Sequence, residues 1–112
     1  MSFEPEELSP AEVETTVQET IEDNEVALFM KGTELMPQCG YSRKALGLIQ
    51  RHREDVATVN VLQATEAFRD SLAEYSGRET IPQTFVDGEF VGGSDILEQL
   101  EENGDLAETL NA

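Results

Sequence analysis

One residue in this chain stands out for thiol chemistry, because Cys39 is the only cysteine among 112 residues. It follows Pro37-Gln38, where a loop passes into a helical pattern, so the unpaired N–H groups and dipole of that helix favour its thiolate form. Lys31 precedes it at the end of an apolar run and can supply a nearby cation, while Gly40 leaves room for a second molecule. A lone cysteine is more often an inert buried residue, but this setting favours a reactive one.

The only histidine, His52, is a weaker candidate for chemistry. It stands on a helical segment between Arg51 and Arg53, and no second ligand lies at a spacing typical of a metal site. We therefore predict a surface role for it.

Helices and strands alternate on either side of Cys39. Ser9-Pro10-Ala11-Glu12 combines an N-cap serine, a proline at the first helical position and a glutamate three residues after the cap, which predicts the start of a helix. The apolar run from Val26 to Met30 is typical of a buried central strand. Helical spacing resumes after Cys39, and Val56 to Leu62 predicts a second strand.

The C-terminal half carries the strongest local signal. A helical face formed by Phe68, Leu72 and Tyr75 is followed by two short β runs separated by Asp87-Gly88, which predicts a hairpin with a type I′ turn. Gly92-Gly93 then leads into a helix, and a last short helix follows. The predicted order α-β-α-β-α-β-β-α-α indicates an α/β protein with a four-stranded mixed sheet flanked by helices.

Four segments of the chain, in this order and at this spacing, resemble the monothiol glutaredoxins of the Cys-Gly-Phe-Ser class. They are Lys31-Gly32-Thr33, Pro37-Gln38-Cys39-Gly40-Tyr41-Ser42, Thr80-Ile81-Pro82-Gln83 and Asp87-Gly88-Glu89-Phe90-Val91-Gly92-Gly93. The resemblance extends from about residue 12 to residue 110 and implies a thioredoxin-like fold. We expect residues 1–8 to form a disordered acidic lead and residues 9–112 to form the glutaredoxin domain.

The resemblance also implies a role for particular residues. Cys39 corresponds to the nucleophile and cluster ligand of the family. Lys31 corresponds to the lysine that contacts the glycyl carboxylate of glutathione, and Arg69 to a second basic position at that end. The remaining expected contacts to the thiol ligand are Gly40 and Tyr41 beside the cysteine, the cis-proline loop Thr80, Ile81 and Pro82, and the pair Ser94 and Asp95 at the γ-glutamyl end.

The chain departs from the family pattern at three places. Tyr41 replaces the usual phenylalanine, and Arg78-Glu79 stands where Trp-Pro is common, which makes that wall more polar. Ser94 occupies a position at which many relatives have a second cysteine, so no disulfide can join this position to Cys39.

Two classes of function compete. A 2Fe–2S cluster takes four thiolate ligands and one chain supplies one, so two chains and two external glutathiones would complete a cluster-bridged homodimer that serves iron–sulfur apoproteins. The alternative is a glutathione-dependent oxidoreductase that acts on protein mixed disulfides through a monothiol cycle. A purely structural acidic protein is a more distant alternative. The sequence leaves open whether the small thiol is glutathione or a relative such as γ-glutamylcysteine, which lacks the glycyl carboxylate.

The charge distribution limits the classes of partner that the protein can bind. The chain has 24 acidic and 7 basic residues, a net charge of −17, which argues against nucleic acid and anionic membranes. All seven cations lie between residues 31 and 78, and each flank carries nine uncompensated acids, which on the simplest interpretation form a solvated surface. The absence of a basic, apolar leader suggests a cytoplasmic protein, and an acid-rich, lysine-poor surface is typical of a halophile.

Overall fold

A mixed sheet of four strands lies at the centre of the computed structural model, which describes residues 8–112. The expected acidic lead therefore lies outside the described residues, apart from Leu8, which packs against the core. In chain order, the helices and strands are α1 (Pro10–Asp23), β1 (Val26–Met30), α2 (Gly40–Gln50), β2 (Ala57–Asn60), α3 (Thr65–Ser76), β3 (Gln83–Val86), β4 (Glu89–Gly92), α4 (Ser94–Glu102) and α5 (Leu106–Thr109).

The strands lie in the order β2-β1-β3-β4. Strand β1 pairs in parallel with β2 and antiparallel with β3, so the predicted mixed sheet is confirmed. All five residues of β1 are buried, as expected for a central strand. Strand β2 ends earlier than the sequence suggested, because Val61 donates its N–H to the Met30 carbonyl and the chain then enters a single 3₁₀ turn at Leu62–Ala64.

The predicted hairpin joins β3 and β4. Asp87 and Gly88 at its turn have φ angles of 52° and 82°, and two consecutive positive φ values are the signature of a type I′ turn. The register of the two strands shifts between Thr84 and Phe85, so β4 bends before it delivers the chain to α4.

Helices cover the sheet on both sides. On one side α1 and α3 pack over a cluster in which the rings of Phe29 and Phe85 meet edge to face, with centroids 5.8 Å apart. On the other side α2 and α4 pack over Leu28, Met30 and Val86 of the sheet. Alternate residues of β1 therefore pack in the two clusters. This packing fixes the position of the strand that precedes the Cys39 loop.

Two details of helix packing differ from the sequence pattern. Tyr75, predicted on the inner face of α3, is exposed, and Ser71 is buried on that helix instead. Helix α2 ends before Arg53, whose side chain is only 8% exposed. The guanidinium of this residue pairs with Glu25 and Asp55 and donates a hydrogen bond to the Leu110 carbonyl.

His52 has the structural surface role that we predicted. Its Nε2 atom lies 2.7 Å from a carboxylate oxygen of Glu101, which also pairs with Arg51. The three residues join the end of α2 to α4.

No helix in the described part of the chain is long and apolar enough to cross a membrane.

Candidate active-site thiol

A tightly bonded loop carries the chain from β1 to α2. Thr33 and Met36 exchange two backbone hydrogen bonds of 3.1 Å, and the Gln38 N–H donates to the Lys31 carbonyl at 2.9 Å. Gly32 has a φ of +97°, and a Cβ there would lie 2.5 Å from the Met36 carbonyl oxygen. Only glycine fits both the conformation and the space, so this residue fixes the path of the chain toward the thiol.

Cys39 is the N-cap residue of α2. Its backbone is extended, with φ −147° and ψ 134°, and its side chain makes no capping hydrogen bond. The first N–H groups of the helix therefore stay available to an anionic sulfur or to a bound ligand. Gly40, the next residue, has open space where a Cβ would project. The structure thus confirms the predicted position of the thiol at a helix start with room beside it.

The surroundings of the sulfur favour its thiolate form. The backbone N–H of Ser42 makes the largest contribution to lowering the pKa of the Cys39 thiol below its ordinary value. Partial burial of the sulfur opposes this, whereas the Tyr41 N–H, the Ser42 hydroxyl and the positive charge of Lys31 lower the pKa further. Each of these groups stabilises the negative charge more than the neutral thiol. Lys31 therefore acts on Cys39 as the sequence suggested.

Ser42 is a site residue to which we had assigned no role. It is fully buried, and its hydroxyl oxygen accepts a hydrogen bond of 3.0 Å from the Lys31 backbone N–H. The side chain thereby joins the end of β1 to the first turn of α2, directly beneath the sulfur. A small hydroxyl residue three positions after an N-cap, on the inner face of a helix, was the signal available in the sequence.

Helix α2 also differs from the other helices in the charge of its first turn. An acidic residue occupies the first turn of every other helix in the described region, whereas α2 has none. Arg43 lies one turn after the thiol instead, and its N–H donates to the Cys39 carbonyl at 2.9 Å. No fixed carboxylate therefore competes with the thiolate for the positive end of this helix.

A cleft of about 530 Å³ opens beside Tyr41, two residues after the thiol. Cys39, Gly40 and Lys31 do not line it. Six of the residues predicted to contact a thiol ligand do line it, namely Tyr41, Thr80, Ile81, Pro82, Ser94 and Asp95. The structure therefore gathers residues from three separate segments of the sequence around one cavity.

The Gln83 side chain holds in place the loop of residues 78–82, which forms one wall of this cleft. The Ile81–Pro82 peptide bond is cis, as the family resemblance implied. The buried Gln83 side chain donates through Nε2 to the Arg78 carbonyl at 2.8 Å and to the Thr80 carbonyl at 2.9 Å. Its Oε1 atom has no hydrogen-bond partner within residues 8–112. Sequence reasoning assigned no role to Gln83, although a buried amide within an otherwise apolar strand needs partners.

The opposite wall is formed by the start of α4. Gly92 has a φ of +152°, and a Cβ there would lie 2.6 Å from the Ile96 Cβ atom. This close approach turns the chain so that Ser94 and Asp95 begin the helix at the edge of the cleft. Free N–H groups at a helix start bind carboxylates well, and an adjacent aspartate can take an ammonium group.

Two arginines near the site behave differently from each other. Arg69 pairs with Glu66 at 2.7 Å on α3 and does not line the cleft, so its contact with a ligand stays a prediction. Arg78 does line the cleft, in the place where relatives commonly have tryptophan. It was noted as a departure from the family pattern but not as a site residue.

The described residues contain no ready-made metal site. Between residues 8 and 112, no group of three or more histidine, cysteine, aspartate or glutamate side chains is placed to hold a metal ion. Cys39 is therefore not part of a group of this kind within the described residues.

Known proteins share both the sequence and the fold of this chain. The Glutaredoxin family model matches residues 26–91. A monothiol glutaredoxin of Synechocystis, ycf64-like and described as uncharacterized, is 43% identical over 99 residues, which cover 88% of this chain and 92% of the relative. Reduced apo GrxS14 of poplar superposes with a TM-score of 0.76 at 37% identity, covering 90% of this chain and 92% of the other.

A more distant structure extends the likeness in fold. The buckwheat glutaredoxin–glutathione complex has a TM-score of 0.76 at 23% identity and covers 96% of this chain and 94% of the other. At this identity the likeness concerns the thioredoxin-like fold alone. The fold, the single N-cap cysteine and the matches over most of the length agree, and the chain belongs to the monothiol glutaredoxins.

Proposed function

We propose that this protein carries a 2Fe–2S cluster, held between two copies of the chain, and passes it to iron–sulfur apoproteins. The observation that carries the proposal is the state of Cys39, the only thiol of the chain, whose pKa is lowered at an uncapped helix start. A 2Fe–2S cluster takes four ligands, and among residues 8–112 no group of three or more histidine, cysteine, aspartate or glutamate side chains is placed to hold a metal ion. Two copies of Cys39 and two small thiols supply the four sulfurs.

The cleft beside Tyr41 suits glutathione as the small thiol. Thr80 and Ile81 line the cleft, where their backbone groups can pair with the cysteinyl part of a peptide ligand, as in the addition of a strand. The start of α4 can take the γ-glutamyl carboxylate, and the exposed Asp95 can take its ammonium group. Lys31 can then pair with the glycyl carboxylate. Glutathione is bound by the buckwheat protein of the same fold, but its assignment here depends on these residues of the chain.

Three features prepare the chain for this cargo. Ser42 and Lys31 lower the pKa of the Cys39 thiol and so favour the anionic sulfur, which is the form that binds iron. Gly40 leaves the space beside the sulfur open to a second copy. The absence of an acid in the first turn of α2 avoids repulsion of the anionic ligands.

Anaerobic reconstitution tests the proposal. The chain is incubated with iron, sulfide and either glutathione, γ-glutamylcysteine or no small thiol, and absorbance and native mass are measured. We expect one 2Fe–2S cluster per two chains with a small thiol present and none without it. Cys39→Ser should abolish the cluster, with Ser71→Ala, which changes a buried residue on α3, as the matched control. Undiminished cluster in Cys39→Ser would refute the ligand assignment.

A second activity is favoured by the open space at Gly40 and by the same thiolate. In it, Cys39 attacks the glutathione sulfur of a protein mixed disulfide, and the protein thiolate leaves with the electron pair of the broken S–S bond. A second glutathione thiolate then attacks the new mixed disulfide, which releases oxidised glutathione and restores Cys39. Release of the free peptide thiol from a glutathionylated peptide, followed by chromatography, measures this cycle, and its absence with an intact cluster would leave only the carrier function.

We further place the protein in a reducing, salt-rich cytoplasm. The single cysteine and the net charge of −17 support this setting. The salt response described in the Discussion tests the second part of it.

A further inference from the structure

The seven cations of the chain fall into two groups. Four of them form ion pairs with acidic side chains, namely Lys44, Arg51, Arg53 and Arg69. Lys31, Arg43 and Arg78 have no ion pair to any acid within residues 8–112. In a chain with 24 acidic residues, three cations that lack an ion pair are unexpected unless their charge serves a partner.

The three cations without an ion pair lie on segments near the start of α2. Lys31 is close enough to lower the pKa of Cys39. Arg43 lies one helical turn after Cys39, on the same face of α2, and helical side chains lean back toward the N-terminus. Arg78 shares the wall of the cleft with Tyr41. Positive charge is thus present on three segments near the start of α2, and the charge of Lys31 acts directly on the sulfur.

Two apolar side chains project into solvent from the loop between Lys31 and Cys39. Leu35 is 96% exposed and Met36 is 70% exposed, which makes them the most exposed large hydrophobic residues of the described region. They are not on a loose segment, because the paired hydrogen bonds between Thr33 and Met36 fix the loop. The one acid of this loop, Glu34, accepts a hydrogen bond from Gln50. A rigid loop that holds apolar groups in water indicates a contact surface.

We propose that Leu35, Met36, Arg43 and Arg78, here called the thiol rim, dock an acidic segment of a partner protein. Carboxylates of the segment pair with the two arginines, and an apolar side chain packs on Leu35 and Met36. The reacting cysteine of the segment then lies next to Cys39. This inference supplies a partner for the proposed carrier and to that extent rests on the proposed function.

The position of the rim argues for a protein segment rather than for the small thiol. Leu35, Met36 and Arg43 do not line the cleft that suits glutathione. Charge argues against a second copy in the absence of cluster, because a two-fold contact at the thiol would bring the arginines of one copy toward those of the other. In the cluster-bridged pair, the anionic cargo and its ligands offset that repulsion, and the acidic partner takes the rim of a single copy.

Thiol–disulfide exchange without cluster tests the inference. The probes are two peptides, each with one leucine and a central cysteine that is activated as a mixed disulfide with 2-thiopyridine. One peptide is flanked by aspartates and the other by lysines. The Cys39 thiolate attacks the peptide sulfur, and thiopyridone leaves with the electron pair of the S–S bond and is measured by absorbance. At about 0.3 M KCl the Debye length is ~5–6 Å, so the net charge of the chain is screened and local pairs decide the rates.

We expect the parent protein to react several-fold faster with the acidic peptide. Arg43→Gln and Arg78→Gln should each reduce this preference by about two- to fivefold, the range of exposed ion pairs. Arg51→Gln removes the same charge from an arginine that is 66% exposed and paired with Glu101, and it should leave the preference unchanged. Leu35→Ser should slow the reaction with both peptides alike.

An equal rate with the two peptides, or an equal effect of Arg51→Gln and Arg43→Gln, would overturn the rim. A rim-dependent dimer of the cluster-free chain at the same salt would assign the surface to a second copy and also overturn it. Exchange with the uncharged 2,2′-dithiodipyridine distinguishes failure of the docking inference from failure of the proposed function. A thiol that fails to react even with that reagent contradicts the carrier itself, whereas a reactive thiol without charge preference contradicts only the inference.

Discussion

Helices α1 and α2 begin in opposite ways. At α1 the Ser9 hydroxyl accepts from the Glu12 N–H at 3.2 Å and the Glu12 carboxylate accepts from the Ser9 N–H at 2.9 Å. Pro10 occupies the first helical position, which removes one unsatisfied donor. At α2 Cys39 is the N-cap, no side chain caps the helix, and no acid stands in the first turn.

The difference shows how one local structure serves stability at one place and chemistry at another. The start of α1 satisfies its own donors, and such a cap stabilises a protein by about 1 kcal/mol. The start of α2 leaves its donors facing the sulfur, so it gives up that stabilisation in favour of a thiolate. The predictions that follow change one of the two helix starts and compare the outcome with the other.

Gly32→Ala should have the largest effect, because it displaces the loop that places α2. The new Cβ would lie 2.5 Å from the Met36 carbonyl oxygen at a φ of +97°. Strain and overlap together should lower the free energy of unfolding by about 3 kcal/mol and slow alkylation of Cys39. Gly104→Ala is the control, since its φ is +78° but nothing lies within 4 Å. Equal losses in the two variants, measured by urea unfolding, would show that the loop adapts.

Lys31→Glu should weaken the binding of the small thiol and leave the fold intact. Lys31 follows the buried run of β1 rather than lying within it, and a reversed charge beside a carboxylate costs at least ~1 kcal/mol even when partly screened. Calorimetric titration with glutathione at moderate salt measures the change. Arg51→Glu provides the matched charge reversal at the far end of α2, and an affinity unchanged in Lys31→Glu would show that the lysine serves another purpose.

Substitutions at the two N-caps should change stability in opposite directions. Ser9→Ala removes the capping box of α1 and should lower the free energy of unfolding by about 1 kcal/mol without affecting thiol reactivity. Cys39→Ser places a good cap on α2 and should raise it by up to ~1 kcal/mol while abolishing the chemistry. Cys39→Ala is the control that loses the thiol without gaining a cap. A Cys39→Ser protein no more stable than Cys39→Ala would contradict the description of α2 as uncapped.

The acidic flanks, of which α1 is one, should make stability depend on salt, with the smallest effect per residue. At about 10 mM salt the Debye length is ~30 Å and the flank charges repel one another, whereas at 1 M it is ~3 Å. Changing the exposed Glu14, Glu19 and Glu108 to glutamine should therefore raise the melting temperature more at low KCl than at high KCl. Salt also strengthens hydrophobic burial, so the comparison is between parent and variant. Identical responses would remove the main support for a halophilic protein.

The sequence predicted most of the fold because its signals are local. The capping box at Ser9, the Asp87-Gly88 turn and the buried run of β1 each depend on neighbouring residues, and all three are confirmed. The order of the strands and the early end of β2 depend on pairing between distant segments, which no local pattern encodes.

The site was predicted less completely, for the same reason. The thiol and six residues of the cleft were found from motifs that carry a family resemblance. Ser42 and Gln83 act through backbone atoms of residues that fold against them, so their roles appear only when those atoms are in place. The unpaired state of Arg43 depends on which acids lie nearby in space, which spacing along the chain does not reveal.

The pH dependence of Cys39 alkylation tests the central claim, which is that the start of α2 holds this sulfur as a thiolate. Because the pKa of the thiol is lowered, the rate with iodoacetamide should rise with pH earlier in the folded protein than in the same chain unfolded in urea. The free energy of unfolding should correspondingly fall as the pH drops through the lowered pKa, because the unfolded chain binds the proton more tightly. A folded-state midpoint equal to or above that of the unfolded chain would contradict the account.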